Sequence, residues 1–322
     1  MKAKVNKKIN SGDKRKSNIS WRDIKLNKEV YLMLLPGLLF LIVVKYIPLY
    51  GLQVAFKDFN PFKGISGSDW VGFKYYIACF RSSQFWRVVR NTFILSFGKW
   101  IANIPGPILF AMLLNEIRLK PFKKTVQTIS YFPHFISWVV VASFVYTLFG
   151  TDYGIINKVL ETVGFQTKNF YQDPYVWRFI LILADVWKNV GWGSILYLAA
   201  ISSIPPEQYE AAEIDGCGKL KQALYITFPS LLPIASVLLI LSSANLAWGG
   251  FEQVYSIIGD SELLRKENEI LEVFTYRQGI LLGNYSLGAA VGFFQNIIAA
   301  ILIFTTNKVA GKMQQDKRFV LF

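Results

Sequence analysis

The chain has 322 residues, of which 53% are hydrophobic, 16% aromatic and only 17% charged, and its mean hydropathy is +0.34. Soluble domains carry about a quarter charged residues, so this composition excludes an ordinary soluble protein and points to a membrane protein. The net charge of +14 invites a nucleic-acid reading, but ten of the 35 Lys and Arg lie in residues 1–29, directly before a long apolar run. That is the pattern of a cytoplasmic flank. No nucleic-acid fold follows it, and no nucleic-acid partner is expected. The two cysteines, Cys79 and Cys217, give no disulfide framework and no metal spacing. The single histidine, His134, leaves little room for metal or triad chemistry, and no metal site is expected.

A transmembrane helix needs about 20 mostly apolar residues. In chain order the apolar runs predict six, at 30–50, 91–114, 132–149, 177–200, 231–248 and 287–306. The first differs from a signal peptide in its length, in lacking a small-residue cleavage site and in being followed by further spans. The second is interrupted by Gly98 and by Pro105-Gly106-Pro107. With the N-terminus inside, the inner side holds 20 Lys and Arg against 11 on the outer side, so both termini are expected in the cytoplasm. The fold class is an all-α polytopic membrane protein with a basic tail at 1–29, a separate first span at 30–50 and a five-helix core at 90–310. A C-terminal tail follows at 311–322. The outer segments 51–90 and 250–286 are expected to hold short helices lying on the membrane surface.

Between spans four and five lies a polar insert, residues 205–220, beginning PPEQYEAAEIDGCG. Pro205 and Pro206 suit a helix N-terminus. Glu207, Glu210 and Glu213 recur at three-residue spacing on one face near its positive dipole end. Gly216 and Gly218 permit a left-handed turn that ends the helix. A solvated acidic helix and a docking element for a cytoplasmic partner account equally well for this stretch.

Glu210-Ala211-Ala212, then Gly216 after three residues, Ile226 after nine more and Phe228-Pro229 after one, resembles the EAA loop of ATP-binding-cassette (ABC) importer permeases. The one departure is Phe228 where the family has Leu. Asp215 before the glycine also fits the pattern. The stretches at 34–76, 91–97, 107–145, 187–216 and 276–280 resemble the oligosaccharide permeases within the sugar-importer group, so the likeness covers nearly all of the chain after the basic tail.

The resemblance implies a type I importer permease of six helices that forms half of a transmembrane pathway. Its insert would be a coupling helix seated in a groove of an ATPase. Glu210 would make a polar contact there, Ala211 and Ala212 would allow close packing and Gly216 would make the turn, with Asp215 in the same ATPase-coupling set. The implied partners are a second homologous permease, two ATP-binding subunits that use ATP and Mg, and an extracytoplasmic solute-binding protein that delivers an oligosaccharide. The implied location is a bacterial plasma membrane, with lipid around the spans. The chain has no P-loop sequence and is expected to bind no cofactor and hydrolyse no ATP itself.

Ionisable residues at membrane depth face cavities or one another. Asp185 and Lys188, three apart on span four, are expected to pair structurally, although Lys188 also suits a charged cargo; Lys99 in span two carries the same two readings. A sugar path needs aromatic rings for stacking and polar side chains for hydroxyls. Trp187, Lys188, Trp192, Asn245, Trp248, Phe251, Glu252, Gln295 and Asn296 supply these on spans four to six. His134 reads as a hydrogen-bonded structural residue. A polytopic membrane enzyme would need a convergent acid, base or metal set, which the sequence lacks, and a channel or secondary carrier leaves the EAA loop unexplained.

Overall fold

The computed structural model describes residues 27–151 and 154–313. The two tails read from the sequence lie outside these residues, apart from the helical backbone at their inner edges. The chain divides into two units at Leu52/Gln53. The first contains α1 (Lys28–Leu41), a wide turn at Ile42–Tyr46 and the start of the tight helical turns at Ile47–Phe56. No side chain of α1 is buried, as befits an apolar helix whose solvent is lipid.

The second unit opens with a feature absent from the all-helical expectation. Strands β1 (Lys57–Asp58) and β2 (Asp69–Trp70) pair antiparallel, with Lys57 opposite Trp70. Asp58 pins this hairpin to α2 (Lys74–Arg81) by accepting hydrogen bonds from Lys74 Nζ at 2.8 Å and Tyr75 Oη at 2.6 Å.

The second span is α3 (Ser83–Asn103) followed by α4 (Pro105–Glu116). Its break falls at Pro105 rather than at Gly98, because proline removes an N–H and crowds the carbonyl four residues back. The third predicted span is not one rod. Helix α5 (Lys120–Tyr131) and a tight turn at Phe132–Phe135 meet α6 (Trp138–Phe149) at 103°. Pro133 and the Ser137 N-cap stop and restart the helix there. Alone, the twelve residues of α6 reach roughly 18 Å, well short of a bilayer core of about 30 Å. Among the described residues, five helices are long and apolar enough to cross a membrane, and the bent pair, taken as one span, brings the number to six.

After α7 (Ile155–Thr162) comes α8 (Pro174–Ser202), an unbroken span of 29 residues. Asp173 caps it by accepting from the N–H groups of Tyr175 and Val176, and Pro174 occupies the first helical position. The polar insert follows as α9 (Pro206–Ile214). Span five runs through α10 (Lys219–Gln222), a wide turn at Ala223–Thr227 and α11 (Phe228–Ser243) to a tight turn ending at Ala247. Three short helices, α12 (Phe251–Ile258), α13 (Glu262–Asn268) and α14 (Leu271–Tyr276), lead to α15 (Tyr285–Met313), the last span.

The core shows how these parts lock. Leu95 of α3, Val141 and Val145 of α6 and Trp177, Ile180 and Leu181 of α8 form one buried cluster with Val254, Ile257, Leu264, Ile270 and Val273. Segment 250–286 is therefore folded into the far end of the bundle. The surface-lying helices expected there are corrected by this burial: an alternating set of Ile, Leu and Val gives each short helix an inward face. Glu267 adds a polar tie, accepting from Arg178 of α8 at 2.8 Å and Arg90 of α3 at 2.9 Å. At the α9 end, Ile108 and Ala111 of α4 pack with Tyr197, Ile201 and Leu231.

Candidate functional site

The insert forms the helix its sequence predicts. Every residue of α9 is exposed or half-exposed, and Ile214 is 86% exposed. Its end is a Schellman turn: the Cys217 N–H donates to the Ala212 carbonyl at 2.8 Å, and the Gly216 N–H donates to the Glu213 carbonyl at 3.0 Å. Gly216 has φ +74°, the left-handed region that favours glycine. Gly218, expected to share that role, instead has φ −68° and starts the next helix. A single side-chain tie, Tyr209 Oη to Thr227 Oγ1 at 2.9 Å, joins α9 to the start of span five. Glu210, Ala211, Asp215 and Gly216 lie on the exposed surface, and Ala212 is half-buried.

Among the spans, a cavity of about 480 Å³ is lined by Ser96, Lys99, Trp100 and Asn103 of α3, Asp185, Asn189 and Trp192 of α8, and Ser242, Asn245, Trp248 and Glu272. A second depression of about 510 Å³ shares Trp248 and Glu272 with it and adds Phe251, Tyr276, Tyr285 and Gln295 towards the far end. A third, about 320 Å³, shares Asn103, Ser242 and Asn245 and extends to Tyr197 and Ala235 towards the α9 end. The three form a file along the bundle. Indole rings, carboxamides, hydroxyls and carboxylates on its walls suit a polyhydroxylated ligand better than an apolar one.

Three tryptophans face the central cavity, and two of them are held by identifiable contacts. Trp100 Nε1 donates to Ser242 Oγ at 3.1 Å. Trp192 stacks on His134 with ring centroids 4.6 Å apart, and His134 Nδ1 lies 3.2 Å from Asn189 Oδ1, which gives the histidine the structural setting expected of it. Asp185 does not pair with Lys188. Its Oδ2 accepts from Asn103 Nδ2 at 2.7 Å. Lys188 points to the break in span three, where Nζ donates to the carbonyls of Pro133 at 3.0 Å, His134 at 2.7 Å and Ile136. A helix break leaves carbonyls without partners, and membrane depth offers no water to satisfy them. The lysine does so instead, which corrects the expected ion pair.

The break between span five and α12 is capped in a similar way. Gln295 Nε2 donates to the Ala247 carbonyl at 2.7 Å, Ser96 Oγ to that of Trp248 at 3.1 Å and Lys99 Nζ to that of Gly249 at 2.7 Å. Glu272 Oε2 accepts from the Gly250 N–H at 2.8 Å, and Gly250 has φ +86°. Burial raises the Glu272 carboxyl above the ordinary glutamate value, opposed by the N–H groups of Gly250, Gly249 and Phe251, which favour its charged form.

Of the residues predicted for a pathway, Trp192, Asn245 and Trp248 meet at the central cavity, and Phe251 and Gln295 join Trp248 at the far depression. Lys188 lies behind the wall. Trp187 borders a separate apolar groove with Val141, Phe144 and Ile180. Glu252 is exposed on α12, and Asn296 donates to its own helix at the Gly292 carbonyl; neither borders these cavities. Sequence reasoning missed Ser96, Trp100, Asn103, Ser242 and Glu272. A signal for part of this set was present: Ser96, Lys99 and Asn103 form a polar stripe at helical spacing, as do Asp185, Asn189 and Trp192.

Comparison with known proteins identifies the architecture. Residues 103–312 match the family model described as the binding-protein-dependent transport system inner membrane component. The chain is similar to Protein LplB of Bacillus subtilis (strain 168), 39% identical with 94% of each chain covered. It is also similar to the polygalacturonan/rhamnogalacturonan transport system permease protein YteP of the same organism, 39% identical with 90% of this chain and 89% of the relative covered. Among solved structures, it resembles a chain of a bacterial alginate ABC transporter in complex with an alginate pentasaccharide-bound periplasmic protein. There the identity is 33% and the TM-score 0.84, covering 92% of this chain and 98% of that one. The family is a membrane transport component. The chain is an integral membrane permease, and it belongs to the binding-protein-dependent transport system inner membrane component family of ABC transporters.

Proposed function

We propose that this permease forms half of the pathway through which an ABC importer takes up an oligosaccharide, and that α9 couples it to the ATPase. The file of three cavities, in which Trp248 joins the central one to the far depression and Asn103 and Asn245 join it to the third, supports the pathway. An oligosaccharide cargo is supported by its indole and carboxamide walls, by the polysaccharide name of the YteP relative and by the alginate complex. The coupling role is carried by one observation: α9 is a formed, capped helix that stays exposed where α8 ends. An exposed helix with an uncovered isoleucine at its end suits a groove in a partner. Glu210 supplies a polar contact, Ala211 and Ala212 a surface small enough for close approach, and Asp215 and Gly216 the turn.

The complete importer in this reading holds a second homologous permease, two ATP-binding subunits and an extracytoplasmic solute-binding protein, in a bacterial plasma membrane. ATP and Mg are used by the ATP-binding subunits, with no cofactor held by this chain. The excess of Lys and Arg on one side supports both termini, and α9, in the cytoplasm. Closure of the ATPases would move α9 and, through α8, the cavity walls. The test is Glu210→Ala with Gly216→Val in the reconstituted complex. Loss of uptake in a chain that still inserts is the expected result. Uptake at the unaltered rate would refute the coupling role.

A further inference from the structure

Trp248 occupies a place no other ring shares. It borders both the central cavity and the far depression, so cargo moving between the two passes over its indole. It lies where the backbone has left the helix, with φ −112° and ψ 121°. Such a segment would drift unless something fixed it. Three successive carbonyls, those of Ala247, Trp248 and Gly249, are each capped by a different side chain: Gln295 from α15, and Ser96 and Lys99 from α3. The Lys99 side chain is buried. A buried ammonium at membrane depth is expensive, and a neutral donor would satisfy one carbonyl. What the charge adds is a stronger, shorter hydrogen bond.

We propose that Trp248 is the ring over which sugar is handed from the far depression to the central cavity, and that Lys99, with Ser96 and Gln295, is a positioning residue that holds this ring at the boundary. The proposal rests on the oligosaccharide reading and adds to it a named platform and the residues that fix it. Lys188 provides the internal comparison, because it caps a different break, at 133–136, away from Trp248.

The experiment is a double-mutant cycle on uptake by the importer, purified with its native partners and reconstituted in liposomes. The probe is a panel of radiolabelled neutral and uronate-containing oligosaccharides. Trp248→Ala is expected to lower uptake about tenfold or more, mostly through a higher half-saturating cargo concentration, and Trp248→Phe to retain much of it. Lys99→Met is expected to lower uptake similarly on its own but to add little in the Trp248→Ala background, because residues acting through one another are non-additive. Lys99→Arg restores part of the loss. Lys188→Met multiplies with Trp248→Ala.

If Lys99→Met and Trp248→Ala also multiply, Lys99 is a purely structural residue and the positioning claim is overturned. Unaltered uptake by Trp248→Ala overturns the hand-over ring. Failure of the unaltered importer to take up any sugar in the panel, while transporting a non-sugar solute, overturns the oligosaccharide reading and the ring with it. Should Lys99→Met fail to assemble, Ser96→Ala and Gln295→Leu enter the same cycle, with the same two outcomes.

Discussion

Gly191→Ala tests the crossing of α5 and α8 with a single methyl group. A Cβ at Gly191 would sit 2.0 Å from the Ser130 carbonyl oxygen and 2.5 Å from its carbonyl carbon. Non-bonded carbon atoms rest about 3.5–4.0 Å apart, and the opposing atoms are backbone, so no rotamer change relieves the clash. Overpacking costs about 1–3 kcal/mol, here towards the upper end because two helices must part. Better helix propensity returns about 1 kcal/mol, leaving a net loss of roughly 2 kcal/mol. Gly292 in α15 is the control: a Cβ there meets nothing within 4 Å, and only the propensity gain of about 1 kcal/mol remains. The same substitution therefore has opposite signs at the two sites. Thermal unfolding of the purified chain in detergent, followed by tryptophan fluorescence, should place the Gly191→Ala midpoint below the unaltered protein and Gly292→Ala at or above it. A Gly191→Ala protein as stable as Gly292→Ala would refute the close approach and the helix crossing drawn from it.

Lys188→Met, of similar length but unable to donate, leaves the carbonyls of His134 and Ile136 without the lysine, while that of Pro133 keeps the Ile136 N–H at 3.2 Å. At about 1–3 kcal/mol for each buried group left unsatisfied, it is expected to lower the unfolding midpoint more than Gly191→Ala does. Gly216→Ala has open space for its methyl group but must hold φ +74°, a strain of about 1–2 kcal/mol. Hydrogen exchange should therefore quicken in α9 alone, whereas Gly218→Ala, at φ −68°, leaves exchange unaltered. The hydrogen bonds from Lys74 and Tyr75 hold Asp58 below its ordinary value of 3.8. A depressed carboxylate contributes stability above its unfolded pKa and loses it as pH falls through the folded value. The protection of the β1–β2 hairpin amides, measured against their intrinsic exchange rates at each pH, should fall as pH drops below 3.8, and Asp58→Asn should abolish that dependence.

Hydropathy made the long spans legible because a lipid-facing helix must be apolar along its whole length. The polar insert was legible because a capped acidic helix has its own residue pattern and the glycine its own turn. The break at Pro133 was hidden, since a sliding average of apolarity is blind to a backbone that stops and restarts within it. The roles of Lys99 and Lys188 were hidden for a different reason: each caps carbonyls exposed by breaks more than 50 residues away in sequence. The spacing of Asp185 and Lys188 suggested an ion pair, but carbonyls and carboxamides satisfied both groups first. The inward faces of α12, α13 and α14 are likewise invisible in segment 250–286 taken alone, because the core they fill is supplied by α3, α6 and α8.

The central claim is that this chain works only as one part of a larger machine. The most direct measurement is a gentle-detergent pull-down of the tagged chain from its native membranes, with the bound proteins identified by mass spectrometry. The account predicts recovery of a second permease, an ATP-binding subunit and an extracytoplasmic binding protein, with the ATP-binding subunit lost when Glu210 and Gly216 are replaced. Reproducible recovery of the chain alone, under conditions that keep a control importer intact, would contradict it.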